Sequence, residues 1–101
     1  MYAGAFEQRI GQAEELHFGG LGWNDAEVKV LSKALHAAKA VTGLKLQDNR
    51  ITAEGVAALA ACLREGAAPK LREIYFRGNP GVSGAAKQAL REAREGLQVS
   101  S

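Results

Sequence analysis

The chain has 101 residues, of which 47% are hydrophobic, and 13 Lys and Arg against 11 Asp and Glu give it a formal net charge of +2. Its length suits one globular domain, and the basic residues are scattered among acidic ones, which argues against nucleic acid and a membrane surface as partners. No apolar run approaches the roughly 20 residues that cross a bilayer, and the N-terminus lacks the pattern of a signal peptide. With one cysteine and therefore no internal disulfide, the chain is expected to be a cytoplasmic protein.

Residues 1–12 predict a short N-terminal helix. Phe6 and Ile10 are four residues apart and, together with Ala13, fall on one side of a helix. Such a helix would cover the first of the repeated units that follow, so we expect it to act as a cap.

Residues 13–40 predict a strand, a corner and a helix. Leu16 and Phe18 are two residues apart, as on one face of a strand, and the apolar positions then follow a helical period of about 3.6. The helical positions are Val28, Leu31 and Leu35. Trp23, just before the helix, is expected to pack in the core.

Residues 41–70 repeat this pattern with an offset of 28 residues. Leu44 and Leu46 take the strand positions, Asn49 lies at the corner and Ile51 follows it. The helical positions are Val56, Leu59 and Leu63. Because the match covers both the strand and the helix, it indicates a repeated unit.

Residues 71–101 contain a third copy and a C-terminal tail. An offset of 30 residues places Ile74, Phe76 and Asn79 on the strand and corner positions. One extra residue beside Pro80 then restores the helix register. The positions after it are Val82, Ala86 and Leu90. The final residues QVSS offer little apolar cover, and we expect them to be frayed.

Helix-start residues support the same register in all three copies. Asn24, Thr52 and Ser83 occupy equivalent places, and side chains of these types accept hydrogen bonds from the first free amides of a helix. Glu27, three residues after Asn24, completes a capping box. The glycines expected to end the second and third helices are Gly66 and Gly96.

The segment LKLQDNRITAEGVAALAACL resembles one unit of a leucine-rich repeat of the ribonuclease-inhibitor type. The matching landmarks are Val41, Leu44, Leu46, Asn49, Ile51, Gly55, Leu59 and Leu63. The third copy is similar, with Ala86 in place of the glycine. The first is degenerate, with Leu21 where the asparagine belongs and Glu27 where the glycine belongs.

This resemblance implies an α/β solenoid, a short right-handed horseshoe with parallel strands on its concave side and helices on its convex side. It also implies that Asn49 and Asn79 hydrogen-bond backbone groups at the corners, which gives them a structural role. Three units are about the minimum that folds alone. Two interpretations therefore stay open: a small complete domain, or a fragment of a longer array that self-associates through open repeat ends.

Alternation along the strands predicts which side chains face the concave side. With the strand leucines in the core, Lys45 and Gln47 point outward. Tyr75 and Arg77 hold equivalent places in the third unit and belong to residue types enriched in protein interfaces. The candidate contact residues are His17, Lys45, Gln47, Asp48, Glu73, Tyr75 and Arg77. Three strands about 4.8 Å apart expose only a few hundred Å², against roughly 800 Å² per partner in a standard interface.

No combination of residues predicts catalysis. His17 is expected on the concave face and His36 on the solvent side of a helix, so they do not converge on a metal or a triad. Cys62 shares a column of small residues beside the inward leucines and is expected to be a buried thiol. The corner HFGGLGWND has several glycines but lacks the spacing of a phosphate loop and its Lys-Ser/Thr pair. We expect no enzyme activity, cofactor or metal.

The sequence therefore predicts a protein-interaction module that presents a rigid concave strand face to a protein partner of unknown identity. Two alternatives stay open. One is a regulator of an enzyme such as a small GTPase or a nuclease, because the Ran GTPase-activating proteins are built from similar repeats, although this sequence has neither their longer array nor their acidic tail. The other is a structural fragment of a larger repeat array.

Overall fold

The computed structural model describes residues 14–100. The strands are β1 (Glu15–His17), β2 (Gly43–Lys45), β3 (Glu73–Tyr75) and β4 (Gln98–Ser100). The helices are α1 (Asp25–Ala34), α2 (Ala53–Arg64) and α3 (Gly84–Ala93), and a 3-10 turn at Leu35–Ala37 follows α1. The N-terminal helix predicted for residues 1–12 lies outside the described residues.

The four strands form one parallel sheet in the order β1-β2-β3-β4. Its register pairs Leu16 with Leu44 and Leu44 with Ile74, as the offsets of 28 and 30 residues predict. A helix follows each of the first three strands and returns the chain to the next position in the sheet. The molecule is therefore an α/β fold of successive strand-helix units, which confirms the predicted class.

The core lies between the sheet and the helices. In β1 and β3 the central residue is buried while its two neighbours are not, so the helices cover one face of the sheet and leave the other open. Among the fully buried side chains are Leu31, Leu35, Leu44, Leu46, Ile51, Leu59, Ile74, Phe76 and Leu90. Gly55 is buried in α2, and glycine is favoured there because a Cβ would collide with the Asp25 carboxylate of α1.

Each helix begins at its predicted cap. The Asn24 side chain accepts a hydrogen bond from the Ala26 N–H at 2.9 Å, and the Glu27 side chain accepts one from the Asn24 N–H at 2.7 Å, which completes the capping box. Thr52 and Ser83 cap α2 and α3 in the same way. These side chains satisfy amides that have no partner within the helix.

The C-terminal tail differs from its prediction, because residues 98–100 form a fourth strand. The Gln98 N–H donates to the Arg72 carbonyl at 2.8 Å, and the Phe76 N–H donates to the Ser100 carbonyl at 2.8 Å. Parallel pairing uses backbone groups at the edge of the sheet, and the partly buried Val99 side chain also packs against the core. Leu97 is buried beside this strand.

Two further positions also differ in detail from the sequence analysis. Gly66 has a φ of 93° directly after the C-cap of α2, as predicted, but Gly96, with a φ of 83°, lies in the turn before β4 rather than at the end of α3. Trp23 is half-buried rather than enclosed, and its ring stacks on that of Phe18 with centroids 4.6 Å apart. Trp23 lies in the first unit, at one end of the described stack, where fewer neighbours cover it.

Candidate functional site

The uncovered face of the sheet carries the side chains that alternate with the buried ones. The register places His17, Lys45 and Tyr75 in one row across β1, β2 and β3. Gly43 lies in the neighbouring row, where the Glu15 side chain leans over it. We call this surface the open face and define it by the residues Glu15, His17, Lys45, Gln47, Asp48, Glu73, Tyr75 and Arg77.

The side chains of the first two rows pair with one another. The Tyr75 hydroxyl donates to the Glu73 carboxylate, and this hydrogen bond is the main cause that raises the pKa of Tyr75. The Lys45 ammonium lies 5.7 Å from the centroid of the Tyr75 ring and 3.8 Å from a carboxylate oxygen of Glu15. That oxygen is also 3.2 Å from His17 Nε2. Exposed pairs of this kind add little stability, but they restrict the orientation of the side chains.

A cavity of about 580 Å³ opens on the open face at the carboxyl ends of β2 and β3. Its lining consists of Lys45, Gln47, Asp48, Tyr75 and Arg77. Five of the seven predicted contact residues therefore meet at one place, while His17 and Glu73 lie outside its lining. The Arg77 side chain is exposed and makes no ion pair or side-chain hydrogen bond with any residue from 14 to 100.

The backbone below the cavity is fixed where β2 and β3 end. The Asp48 N–H donates to the Arg77 carbonyl at 2.7 Å, and Asp48 itself has a φ of 59°. Gly78, with a φ of 82°, packs so closely on this corner that a Cβ would lie 3.1 Å from the Asp48 Cα. Both its φ and this contact therefore require glycine. The sequence analysis missed Gly78, and the available signal was its place directly before the Asn-Pro pair.

Asn79 joins the corners of the second and third units. Its Oδ1 accepts from the Ile51 N–H at 3.0 Å, and its Nδ2 donates to the carbonyls of Leu46 at 2.8 Å and Phe76 at 2.9 Å. All three backbone groups are buried. The side chain thus supplies the partners that a sharp turn removes from the backbone.

Asn49 joins the first and second units in the same manner. Its Oδ1 accepts from the N–H groups of Leu21 at 3.1 Å and Trp23 at 2.9 Å, and its Nδ2 donates to the Phe18 carbonyl at 2.8 Å. Both asparagines are buried and face the backbone of the preceding unit, so neither belongs to the open face.

Groups with catalytic potential lie apart from one another. His36 is in the 3-10 turn, 3.2 Å from a Glu65 carboxylate oxygen, while His17 is on the open face. Cys62 is buried, its thiol donates to the Leu59 carbonyl, and burial raises its pKa to about 11. Among residues 14–100 no group of three His, Cys, Asp or Glu side chains is placed to hold a metal ion. Over the same range, no helix has the length and apolar character needed to span a membrane.

No protein-family model matches this sequence, and no curated protein matches it. Among solved structures, the chain is similar to one titled "Leiomodin-1 Actin-Binding Site 2", with a TM-score of 0.76 and 17% sequence identity. The alignment covers 98% of this chain and 61% of that chain. At this identity the likeness shows the fold, and this chain spans less than two thirds of the structure that it matches.

Proposed function

We propose that the chain is a non-enzymatic protein-interaction module that binds its partner through the open face. The observation that supports this most is the convergence of Lys45, Tyr75 and Arg77 on one cavity at the carboxyl ends of β2 and β3. Tyr and Arg are enriched at the energetic centres of protein interfaces. Their surroundings are also rigid, because the strands are paired and the corner is fixed by Asp48 and Gly78.

The finer fold assignment forms part of the same proposal. We propose that the strand-helix units are leucine-rich repeats of the ribonuclease-inhibitor type, so that the open face is the concave side of a short solenoid. The in-register parallel strands and the inward-facing Asn49 and Asn79 support this assignment. In such a stack each unit adds one strand to a continuous binding surface.

The size of the open face sets what a partner must contact. Its strands are each three residues long, and a standard interface covers roughly 800 Å² on each partner. The strand residues alone do not reach that area. The contact therefore has to include the corners after β2 and β3, where Asp48 and Arg77 lie, or the rows contributed by β1 and β4.

A photo-crosslinking amino acid placed at residue 75 tests the proposal. The same group at residue 57, an exposed position on α2, provides the matched control on the helix side. We expect one protein to be captured at residue 75 and not at residue 57. The captured protein, once purified, should bind the parent chain and bind Tyr75→Ala and Arg77→Ala variants at least tenfold more weakly. Equal affinity for the parent and both variants would refute the proposal.

Actin is a second candidate partner. The observation that favours it is the fold similarity over 98% of this chain to a structure whose title names an actin-binding site. Sedimentation with purified filamentous actin, together with a binding titration on monomeric actin, tests it directly. We expect saturable binding that Arg77→Ala weakens. A chain that stays in the supernatant and does not bind monomeric actin rules this partner out.

A further inference from the structure

We infer that the partner presents a carboxylate to the cavity, held between Arg77 and Lys45, on a short segment that also carries a basic residue. This inference rests on the proposed function, since it names the chemistry of the segment that the open face would bind. The charges of the open face are unevenly distributed along the strands, and this distribution indicates the chemistry of the partner segment.

Charge changes sign along the strands. The first row across the sheet, Glu15–Gly43–Glu73, carries two carboxylates. The cavity at the other end of the strands has two cations, Lys45 and Arg77, against one carboxylate in its lining. The open face is thus acidic where the strands begin and basic where they end.

The two glutamates of the first row already have side-chain partners, whereas Arg77 at the cavity has none in the described part of the chain. Glu73 accepts the Tyr75 hydroxyl, and Glu15 lies within 4 Å of both His17 and Lys45. Arg77 is exposed and unpaired among residues 14–100. A guanidinium has a planar set of donors that matches a carboxylate in a bidentate arrangement. The strongest unused recognition group of the open face therefore favours an anion.

The spacing of the two cations suits one carboxylate. Lys45 pairs with Tyr75, so Arg77 lies one strand and two residues away from it. Strands about 4.8 Å apart with a rise of about 3.3 Å per residue put the two backbones roughly 8 Å apart. Lysine and arginine side chains are long enough to meet one carboxylate between those two positions, and the Lys45 ammonium already lies 5.7 Å from the centroid of the Tyr75 ring.

The acidic row limits how long the partner's acidic run can be. An extended segment that lies along the strands would place its residues i and i+2 about 6.6 Å apart. With an acidic residue over Arg77, a residue two positions away lies over the row of Lys45 and Tyr75, and one four positions away lies over the row of Glu15 and Glu73. A second acidic residue over Glu15 and Glu73 is repelled there, whereas a basic one is attracted. The segment that fits has one acidic and one basic residue four positions apart, with a neutral residue over the row of Lys45.

Two blocked peptides test this chemistry. The first is acetyl-Ala-Glu-Ala-Ala-Ala-Lys-Ala-amide, and the second has Gln in place of Glu. Each is titrated at low salt into the ¹⁵N-labelled chain, and the dissociation constant is taken from shifts of backbone amide signals. We expect the Glu peptide to shift the amides of residues 75–77 and to bind about fivefold more tightly than the Gln peptide, as suits one exposed ion pair.

Two arginine variants assign this difference to a residue. Arg77→Gln should lose most of the fivefold ratio, with Lys45 retaining the remainder, while Arg64→Gln should keep the ratio. Arg64 is the matched control because it is exposed at the end of α2 and its loss changes the net charge equally. Unchanged amide signals away from the cavity verify that both variants are folded. The double comparison isolates the pairwise interaction from the general effect of charge.

Several outcomes would overturn the inference. They are equal binding of the two peptides to the parent chain, no binding of either peptide, or an equal loss of the ratio in both variants. If these occur while the protein captured at residue 75 still loses affinity for Tyr75→Ala, the proposed function stands and only the carboxylate assignment fails. If that protein binds the Tyr75→Ala variant and the parent chain with equal affinity, the proposed function itself is wrong.

Discussion

Helices α2 and α3 occupy equivalent places in consecutive units, yet one face of each helix is built from opposite residue types. On α2 the residues Val56, Ala60 and Leu63 are buried, with exposed fractions of 1%, 1% and 3%. The corresponding residues of the third unit are Lys87 and Arg91 in α3 and Arg94 directly after it. α3 packs against α2, but no further helix among residues 14–100 packs on the other side of α3. The same repeat position is apolar where a neighbour covers it and basic at the end of the described stack.

Two of these basic residues, Arg91 and Arg94, form hydrogen bonds to the backbone of other elements. Arg94 reaches back to the end of α2 and donates to the carbonyls of Ala67, at 2.7 Å, and Ala68. Such a cation suits the carboxyl end of a helix, where carbonyls lack partners and the dipole is negative. Arg91 lies 3.4 Å from the Val99 carbonyl of β4. The third unit is therefore held to the second by side-chain hydrogen bonds as well as by the burial of Ala86 and Leu90.

The largest effect on stability is expected for substitutions in the buried face of α2. Leu63→Ala removes a side chain that α2 buries between units, so we expect a loss of about 2–5 kcal/mol in the free energy of unfolding. Urea denaturation followed by circular dichroism measures it. Ala57→Gly, on the exposed side of the same helix, is the control and should cost about 1 kcal/mol. Similar losses for both variants would contradict the assignment of this face to the core.

The next effect concerns the corner that joins the two units. Asn79→Ala leaves the Ile51 N–H and the Leu46 carbonyl buried without this side-chain partner. Because each unsatisfied buried group costs about 1–3 kcal/mol, we expect a loss of about 2 kcal/mol. Asn79→Asp is the informative companion, since it keeps an acceptor for Ile51 but loses both donated bonds. A fully stable Asn79→Ala variant would show that the corner does not depend on this side chain.

A smaller effect on stability is expected for the basic residues of the third unit. Arg94→Ala removes the hydrogen bonds to Ala67 and Ala68 but leaves no large cavity, because Arg94 is only half-buried. We expect a loss of about 1.5 kcal/mol. Arg94→Leu, which restores the residue type found in α2, should not recover this stability, as there is no neighbour to bury it. If Arg94→Leu recovered the stability lost in Arg94→Ala, a neighbour would have to bury this position, and the contrast drawn between α2 and α3 would be wrong.

The smallest effect depends on pH and involves a link between α1 and α2. Burial raises the pKa of Asp25, but hydrogen bonds from Thr52 and Gly55 outweigh it and hold this pKa below its ordinary value of 3.8. A carboxylate with a lowered pKa stabilises the fold above its unfolded pKa, and this contribution is lost as the pH falls through the lower, folded value.

We expect Asp25→Asn to cost less than about 1 kcal/mol at pH 7, because the site is only partly buried and solvent screens its charge. The difference from the parent should shrink as the pH falls below 3.8, and unfolding experiments from pH 7 to pH 2 measure it. Ala53 takes the place of Asp25 in the second unit, so α2 and α3 lack this link. A stability difference between Asp25→Asn and the parent that does not change with pH would contradict this account.

Much of the fold follows from the sequence because it depends on local periodicity. The alternation of Leu44 and Leu46 fixes which strand residues are buried, and so also places Lys45 on the open face. Cap residues such as Thr52 are equally local, since their hydrogen bonds reach only the next helical turn. Five of the seven candidate contact residues line one cavity, and their proximity follows from the sequence because strand register follows from the repeat offset; that they contact a partner stays a prediction.

The remaining features depend on groups that are distant in sequence. β4 forms because β3 offers an unpaired edge, which the residues of the tail do not reveal. The carbonyls that Arg94 contacts are 26 and 27 residues away, and their positions depend on how α2 ends. The fit of Gly78 against Asp48 likewise requires the distance between two strands, which no local pattern encodes.

The most direct measurement of the central claim is an amide-shift map of the ¹⁵N-labelled chain with the protein captured at residue 75. The account predicts that the largest changes fall in residues 43–48 and 73–78, around Lys45, Tyr75 and Arg77. It also predicts that the outward side of α2 and α3, where Ala57 and Gln88 are exposed, changes little. The largest changes on those helices, with the strand residues unaffected, would contradict the claim that the open face is the binding site.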